Sequence, residues 1–259
     1  MNKVLFEVRD RVAHVTLNRP ASMNAVDGET EQELQRIWSA IEADRELRAV
    51  VLTGAGDRAF CAGSDMKHSE HKTGLEYWAA PRPGGFGGIA LRQTLDVPVL
   101  ARVNGFALGG GFEMVLGCDI VVACEDASFG LPEARVGRLP LDGGMTLLQR
   151  QIAFRPAMGI LLTGRRASAR EALALGIINE VVARSDLDSA VERWVQEILA
   201  CAPLSVRAIK QIVRRAAHLS ASDAQAQRLP ALIEALESED SQEGVLAFRE
   251  KRAPVWKGR

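Results

Sequence analysis

The chain has no apolar run near the ~20 residues that a bilayer-spanning helix needs, so no such helix is expected. Its four cysteines, Cys61, Cys118, Cys124 and Cys201, contain no Cys-x-x-Cys pair. Scattered in apolar contexts, they fit reduced core thiols and argue against a disulfide or zinc framework. Neither charge is in excess. A net charge of −1, with 25% charged and 47% hydrophobic residues, describes an ordinary soluble globular protein with no call for a nucleic-acid partner. The opening Met1-Asn2-Lys3-Val4-Leu5-Phe6-Glu7-Val8 alternates and carries charge where a secretory signal has a continuous apolar core, so the expected compartment is the cytoplasm. His68 and His71 bracket Ser69-Glu70 with no third ligand in view, so no metal is expected and both histidines read as solvated loop residues.

Short apolar runs alternating with helical patterns fill the first three quarters of the chain. Residues 3–8 and 11–17 read as two strands joined by a turn at Arg9-Asp10. Leu34, Ile37, Trp38 and Ile41 fall at helical spacing within 29–44. Further strands are expected at 49–54, 97–103, 119–124 and 176–182, and helices at 110–116, 143–152 and 169–175. Such alternation predicts an α/β core with parallel strand pairs. From Leu187 onward glycine is scarce and the pattern is helical over 187–200, 204–219, 229–236 and 241–252. The chain therefore divides into a catalytic core over 1–190 and a helical region over 191–259, whose apolar faces need cover from the core or a second subunit.

One stretch organises the rest: Asn104-Gly105-Phe106-Ala107-Leu108-Gly109-Gly110-Gly111-Phe112-Glu113. It follows a strand and opens a helix. Glycines there let a ligand approach the backbone, the free N–H groups of a first helical turn favour a negatively charged oxygen, and Glu113 puts a carboxylate beside it. A plain strand-to-helix turn would leave the same trace, so other stretches must decide. Two do: Phe60-Cys61-Ala62-Gly63-Ser64-Asp65-Met66, and Phe129-Gly130-Leu131-Pro132-Glu133.

In this order and at this separation the three stretches resemble the enoyl-CoA hydratase/isomerase (crotonase) superfamily, over nearly the whole chain. The resemblance implies a crotonase-like spiral of repeated ββα units with a helical C-terminal trimerisation region. It implies an oxyanion hole from the backbone N–H groups of Ser64 and Gly110 around an acyl-CoA thioester carbonyl. Losing one such donor typically costs about 3–4 kcal/mol of barrier. Ser64 departs from the alanine common in the family, which a backbone role tolerates. Glu113 and Glu133 match the two glutamates of the hydratases, Glu113 for water activation at Cβ and Glu133 for exchange of the α-proton. The segment after Asn18-Arg19-Pro20 is expected to line coenzyme A through Ala21, Met23 and Ala25, with Ala62, Asp65, Met66, Gly109 and Pro132 along the arm. A lysine often follows that proline; here Ala21 does, so phosphate charge falls to Arg19 or to Lys251 of a neighbouring subunit, beside Phe248. No cofactor is implied, coenzyme A entering with the substrate. The implied assembly is a homotrimer or homohexamer.

Asp142 is a third carboxylate. It either caps the following helix or contacts a cationic acyl group, and capping is the preferred expectation. The loop 83–88 and the terminus 250–259 resemble one particular branch of the superfamily. The leading reading is hydration and dehydration of a 2-enoyl-CoA thioester, by that branch's enzyme or, as runner-up, by a general short-chain hydratase. A Δ3,Δ2-enoyl-CoA isomerase, which needs one carboxylate, comes third. A different class is an RNA-binding module on the same fold using the basic helix at Arg207, Lys210, Arg214 and Arg215, against which the near-neutral charge argues. Gly54-Ala55-Gly56 imitates a dinucleotide fingerprint but leads into no helix, and Ser64 lies in no nucleophile elbow.

Overall fold

The computed structural model describes residues 2–66 and 73–259; His68 and His71 lie outside them. The chain opens on a hairpin of β1 (Val4–Arg9) and β2 (Val12–Leu17), followed by α1 (Gly28–Ala43). The hairpin turn falls at Asp10-Arg11, one residue later than expected. Both residues have positive φ, 48° and 65°, the two-residue turn whose twist matches paired strands. Asp27 caps α1 by accepting the Thr30 N–H at 2.9 Å, and the helix buries Leu34, Ile37, Trp38 and Ile41 against the sheet.

Three strand pairs follow: β3 (Ala49–Gly54) with β4 (Ala59–Cys61), β5 (Val99–Val103) with β6 (Phe106–Leu108), and β7 (Ile120–Cys124) with β8 (Ser128–Gly130). The first member of each pair joins a six-stranded sheet in the order β1-β2-β3-β5-β7-β10, and the second joins a four-stranded sheet in the order β4-β6-β8-β9. β9 is Arg166–Ser168 and β10 is Glu180–Val182. Apart from β1 and β9, neighbouring strands are parallel. Buried on both faces, β3 and β5 read as near-continuous apolar runs, which is why the sequence exposes them.

This repetition positions the site. Because β4, β6 and β8 lie side by side and run the same way, the segments leaving their C-terminal ends, at 62–66, 109–113 and 131–133, emerge next to one another. The first helix after this edge is α2 (Gly74–Ala79), which was not among the expected helices. Then come α3 (Gly110–Leu116), α4 (Gly144–Gln151), α5 (Phe154–Thr163) and α6 (Ala169–Ala174).

α7 (Leu187–Leu199) packs Leu187, Ala190, Val191 and Val195 into the main core. A second, small cluster starts at Leu204, on α8 (Pro203–Arg215), and includes Ala208 and Ala235. After α9 (Ala221–Gln225), α10 (Pro230–Glu237) packs on α8, and α11 (Glu239–Glu250) on α10.

The basic side of α8 faces inward. Lys210 is buried, donating to the Val97 carbonyl at 2.6 Å and pairing with Asp119 at 2.7 Å. Arg214 also pairs with Asp119, and Arg207 donates to the Leu47 carbonyl. Three of the four cations offered for RNA are thus spent on internal partners, while Ile209 and Val213 of the same helix stand 64% and 65% exposed. Replacing Lys210 with Met leaves the Val97 carbonyl and part of the Asp119 charge unanswered. It is expected to lower unfolding free energy by about 3 kcal/mol in urea titrations, and unchanged stability would contradict this reading.

Candidate functional site

Four glycines bring the loop ends into contact. A Cβ built on Gly63, whose φ is +94°, would lie 3.0 Å from the Leu108 carbonyl oxygen and 3.3 Å from the Gly110 nitrogen. Residues 62–66 run beside the segment after β2: the Ala62 N–H donates to Met23, the Val26 N–H to Gly63, and the Asp65 N–H to Val26. Val26 thereby bridges Gly63 and Asp65 in parallel fashion, which turns the N–H of the intervening Ser64 away from it. Gly110 is the first residue of α3, where an N–H has no carbonyl a turn earlier. Among the described residues, neither the Ser64 nor the Gly110 amide donates a hydrogen bond.

The triple glycine also has a cause that the sequence did not show. A Cβ on Gly109 would fall 3.0 Å from Glu133 Oε1, one on Gly110 2.6 Å from the Phe86 ring, and one on Gly111 2.1 Å from the Cys61 carbonyl oxygen. The glycines make room for protein neighbours on three sides. Gly109 also has φ +55° and ψ −129°, a conformation open to glycine alone.

Glu113 is 3% exposed, and its Oε1 accepts the backbone N–H groups of Asp142 at 2.8 Å and Gly144 at 2.9 Å. Burial pushes its carboxyl up to about 8, the two amides oppose that, and the charges of Asp142 and Glu133 add to it. Glu133 sits in the single-turn helix Pro132–Val136, half-buried, with Oε2 shielded and unpartnered; burial raises its pKa too. Glu133 thus lies close enough for its charge to act on Glu113, and burial raises the proton affinity of both.

Asp142 does not cap α4. Gly143 is the N-cap and no side chain fills the role. Instead both Asp142 carboxylate oxygens are taken, Oδ2 by the Tyr77 hydroxyl at 2.7 Å and Oδ1 by Arg82 at 2.7 Å. The Arg82 guanidinium lies 3.4 Å from the centroid of the Tyr77 ring. Beside this group Glu31 accepts the Gly87 N–H at 3.1 Å through Oε2, while its buried Oε1 has no partner; burial pushes it up to about 7. Sequence reasoning missed Tyr77, Arg82 and Glu31. The signals available were the chain's sole tyrosine and an arginine between Pro81 and Pro83.

Of the remaining candidates, Met23 and Ala25 lie along the 62–66 segment with Ala62, Asp65 and Met66, and Ala21 is in the turn Pro20–Ser22 just before them. Ala25 and Asp65 are buried, and Ala21 and Met66 are exposed. Pro132 starts the turn that carries Glu133. Arg19 is not a free phosphate ligand: it pairs with Asp65 at 2.7 Å and Asp27 at 3.2 Å. Phe248 and Lys251 stand apart, at the end of α11, and Phe248 is 85% exposed.

Two sheets fed by repeated strand pairs, with three loop ends closing on a buried glutamate, define a crotonase-fold enzyme. The chain belongs to the enoyl-CoA hydratase/isomerase family, whose description matches residues 7–259. A carnitinyl-CoA dehydratase of Proteus mirabilis strain HI4320 is 38% identical over 255 residues, 97% of each chain; dehydratases of this kind are the branch that the 83–88 loop and the C-terminus resemble. Enoyl-CoA hydratase structures from Mycobacterium tuberculosis H37Rv (TM-score 0.90, 33% identity, 99% of both chains) and Bacillus anthracis (TM-score 0.92, 32% identity, 100% of both chains) share the fold. With hydratases and dehydratases as its relatives, the protein is a hydro-lyase.

The raised Glu113 pKa has a consequence for stability. Its folded value, about 8, exceeds the unfolded 4.5, so the folded chain binds more protons between them and loses stability as pH rises across that window. Glu113→Gln removes this slope. Between about pH 6 and 8 the variant should gain on the parent by up to about 1.4 kcal/mol per pH unit in urea unfolding, and parallel curves would contradict the assignment.

Proposed function

We propose that the protein reversibly hydrates a 2-enoyl-CoA thioester at the site formed by Ser64, Gly110, Glu113 and Glu133. The observation that carries this reading is the meeting of the Gly63 and Gly110 backbones, with the Ser64 and Gly110 amides unused and Glu113 buried alongside. Two unused main-chain donors suit a thioester oxygen that gains negative charge as water adds to Cβ. Glu113 takes the proton of the attacking water and Glu133 delivers one to Cα, so that H and OH add across the double bond; dehydration runs the same steps backward.

This division of labour needs one carboxylate and one carboxylic acid. Burial raises both glutamates and the Glu133 charge adds to the rise at Glu113, which favours a pair that keeps one proton near neutral pH; hydration uses the form in which that shared proton sits on Glu133 and Glu113 is the carboxylate. The chemistry requires no group beyond coenzyme A itself. Ala21, Met23, Ala25, Ala62, Asp65, Met66, Gly109 and Pro132 are proposed to line its path. Isomerisation of a Δ3 double bond would leave one of the two glutamates without a task.

We further read residues 203–259, the part of the expected 191–259 region outside the main core, as the oligomerisation region. Ile209, Val213, Leu236 and Phe248 are 64–85% exposed, an apolar surface that a second and third copy would cover. Phe248 and Lys251 then reach the coenzyme A of a neighbour. Sedimentation should give a species of three or six chains, and a monomer would overturn the assembly.

Crotonyl-CoA hydration followed by loss of enoyl absorbance tests the activity. Glu113→Gln and Glu133→Gln should each lower kcat by roughly 10²–10⁴-fold with a smaller change in KM. Parent-like turnover in either variant would contradict the pairing.

A further inference from the structure

The dehydratase relatives act, by name, on a carnitinyl thioester, whose acyl end is a quaternary ammonium. Such a cation is recognised by the face of an aromatic ring, with a carboxylate to answer its charge. Beside Glu113 this chain has both in one place, the Tyr77 ring and Asp142, whose own N–H holds Glu113 Oε1 at 2.8 Å. The place is already taken. Arg82 lies over the ring at 3.4 Å from its centroid and pairs with Asp142 Oδ1 at 2.7 Å, while the Tyr77 hydroxyl takes Oδ2.

We propose that Arg82 is a built-in cation that fills the position an ammonium-bearing acyl end would occupy, so the enzyme selects an uncharged short acyl chain over a cationic one. This rests on the hydration reading above and names the substrate class of the same site. The backbone that carries Arg82 is held in place, with Pro83 restricting it to extended conformations and its carbonyl accepting the Gly85 N–H at 3.0 Å, while Asp142 and the Tyr77 ring hold the guanidinium. The alternative aromatic face, Phe86, is 4% exposed and pressed on Gly110.

A second cation about 6 Å from Arg82, at an effective dielectric near 20, meets a repulsion on the order of 100-fold from the guanidinium, which the paired Asp142 offsets in part. The test compares kcat/KM for crotonyl-CoA and crotonobetainyl-CoA in the parent, Arg82→Gln and Arg82→Lys proteins. We expect the parent to favour crotonyl-CoA at least tenfold, Arg82→Lys to keep most of that preference, and Arg82→Gln to shrink it, whatever the variants' absolute rates. Equal or better use of crotonobetainyl-CoA by the parent would overturn the inference and leave the hydratase reading intact. Hydration of neither thioester would instead overturn the hydratase reading. Calorimetric binding of butyryl-CoA and its γ-trimethylammonio analogue to the parent then still decides the inference, with weaker binding of the charged analogue expected and equal affinity contradicting it. The same binding ratio serves if Arg82→Gln fails to fold.

Discussion

The site depends on a close approach of backbones that side chains would forbid. Gly63 meets Gly110 at a separation where a Cβ would stand 3.3 Å from the nitrogen, and Gly111 presses on Cys61 where it would stand 2.1 Å from the carbonyl oxygen. The parallel order of β4, β6 and β8 brings the three loop ends to one edge, and the glycines then let them touch. Without that contact the Gly63 and Gly110 backbones would stand apart, and Glu133 could not lie against Gly109.

A second constraint is electrostatic. Glu113 is buried, yet its Oε1 is held by two amides from the 142–144 turn, so the carboxyl is fixed in place while burial keeps its proton affinity high. The same turn carries Asp142, whose charge would raise Glu113 further if it stood alone. Arg82 answers it, and in doing so closes the Tyr77 ring face. Fixing Glu113 and covering the Tyr77 ring thus fall to one short turn and the segment that packs on it.

Much of this was legible in the sequence, and unevenly. β3 and α3 fell at their observed bounds, because the first is a continuous apolar run and the second opens on glycine after a strand. The four-stranded sheet was not read: its strands are three residues each, too short for alternation to register. α5 was also missed, since Pro156 and Gly159 speak against a helix although a proline in the first turn forfeits no internal hydrogen bond. Ser64, Gly110, Glu113 and Glu133 stood out through three spaced motifs. The partners of Asp142 did not, being 65 and 60 residues away, where no local pattern links them. The basic stripe on α8 pointed outward in the sequence reading and inward in the fold, because Asp119 and two core carbonyls needed donors.

The most direct test is vibrational. With butyryl-CoA carrying an isotopically labelled thioester carbonyl, the difference infrared spectrum of the bound against the free ligand reports how strongly that oxygen is gripped. Two fixed amide donors should move the stretch below its value in water. A band at or above the aqueous position would mean that Ser64 and Gly110 do not hold the oxygen, and the account would fail at its centre.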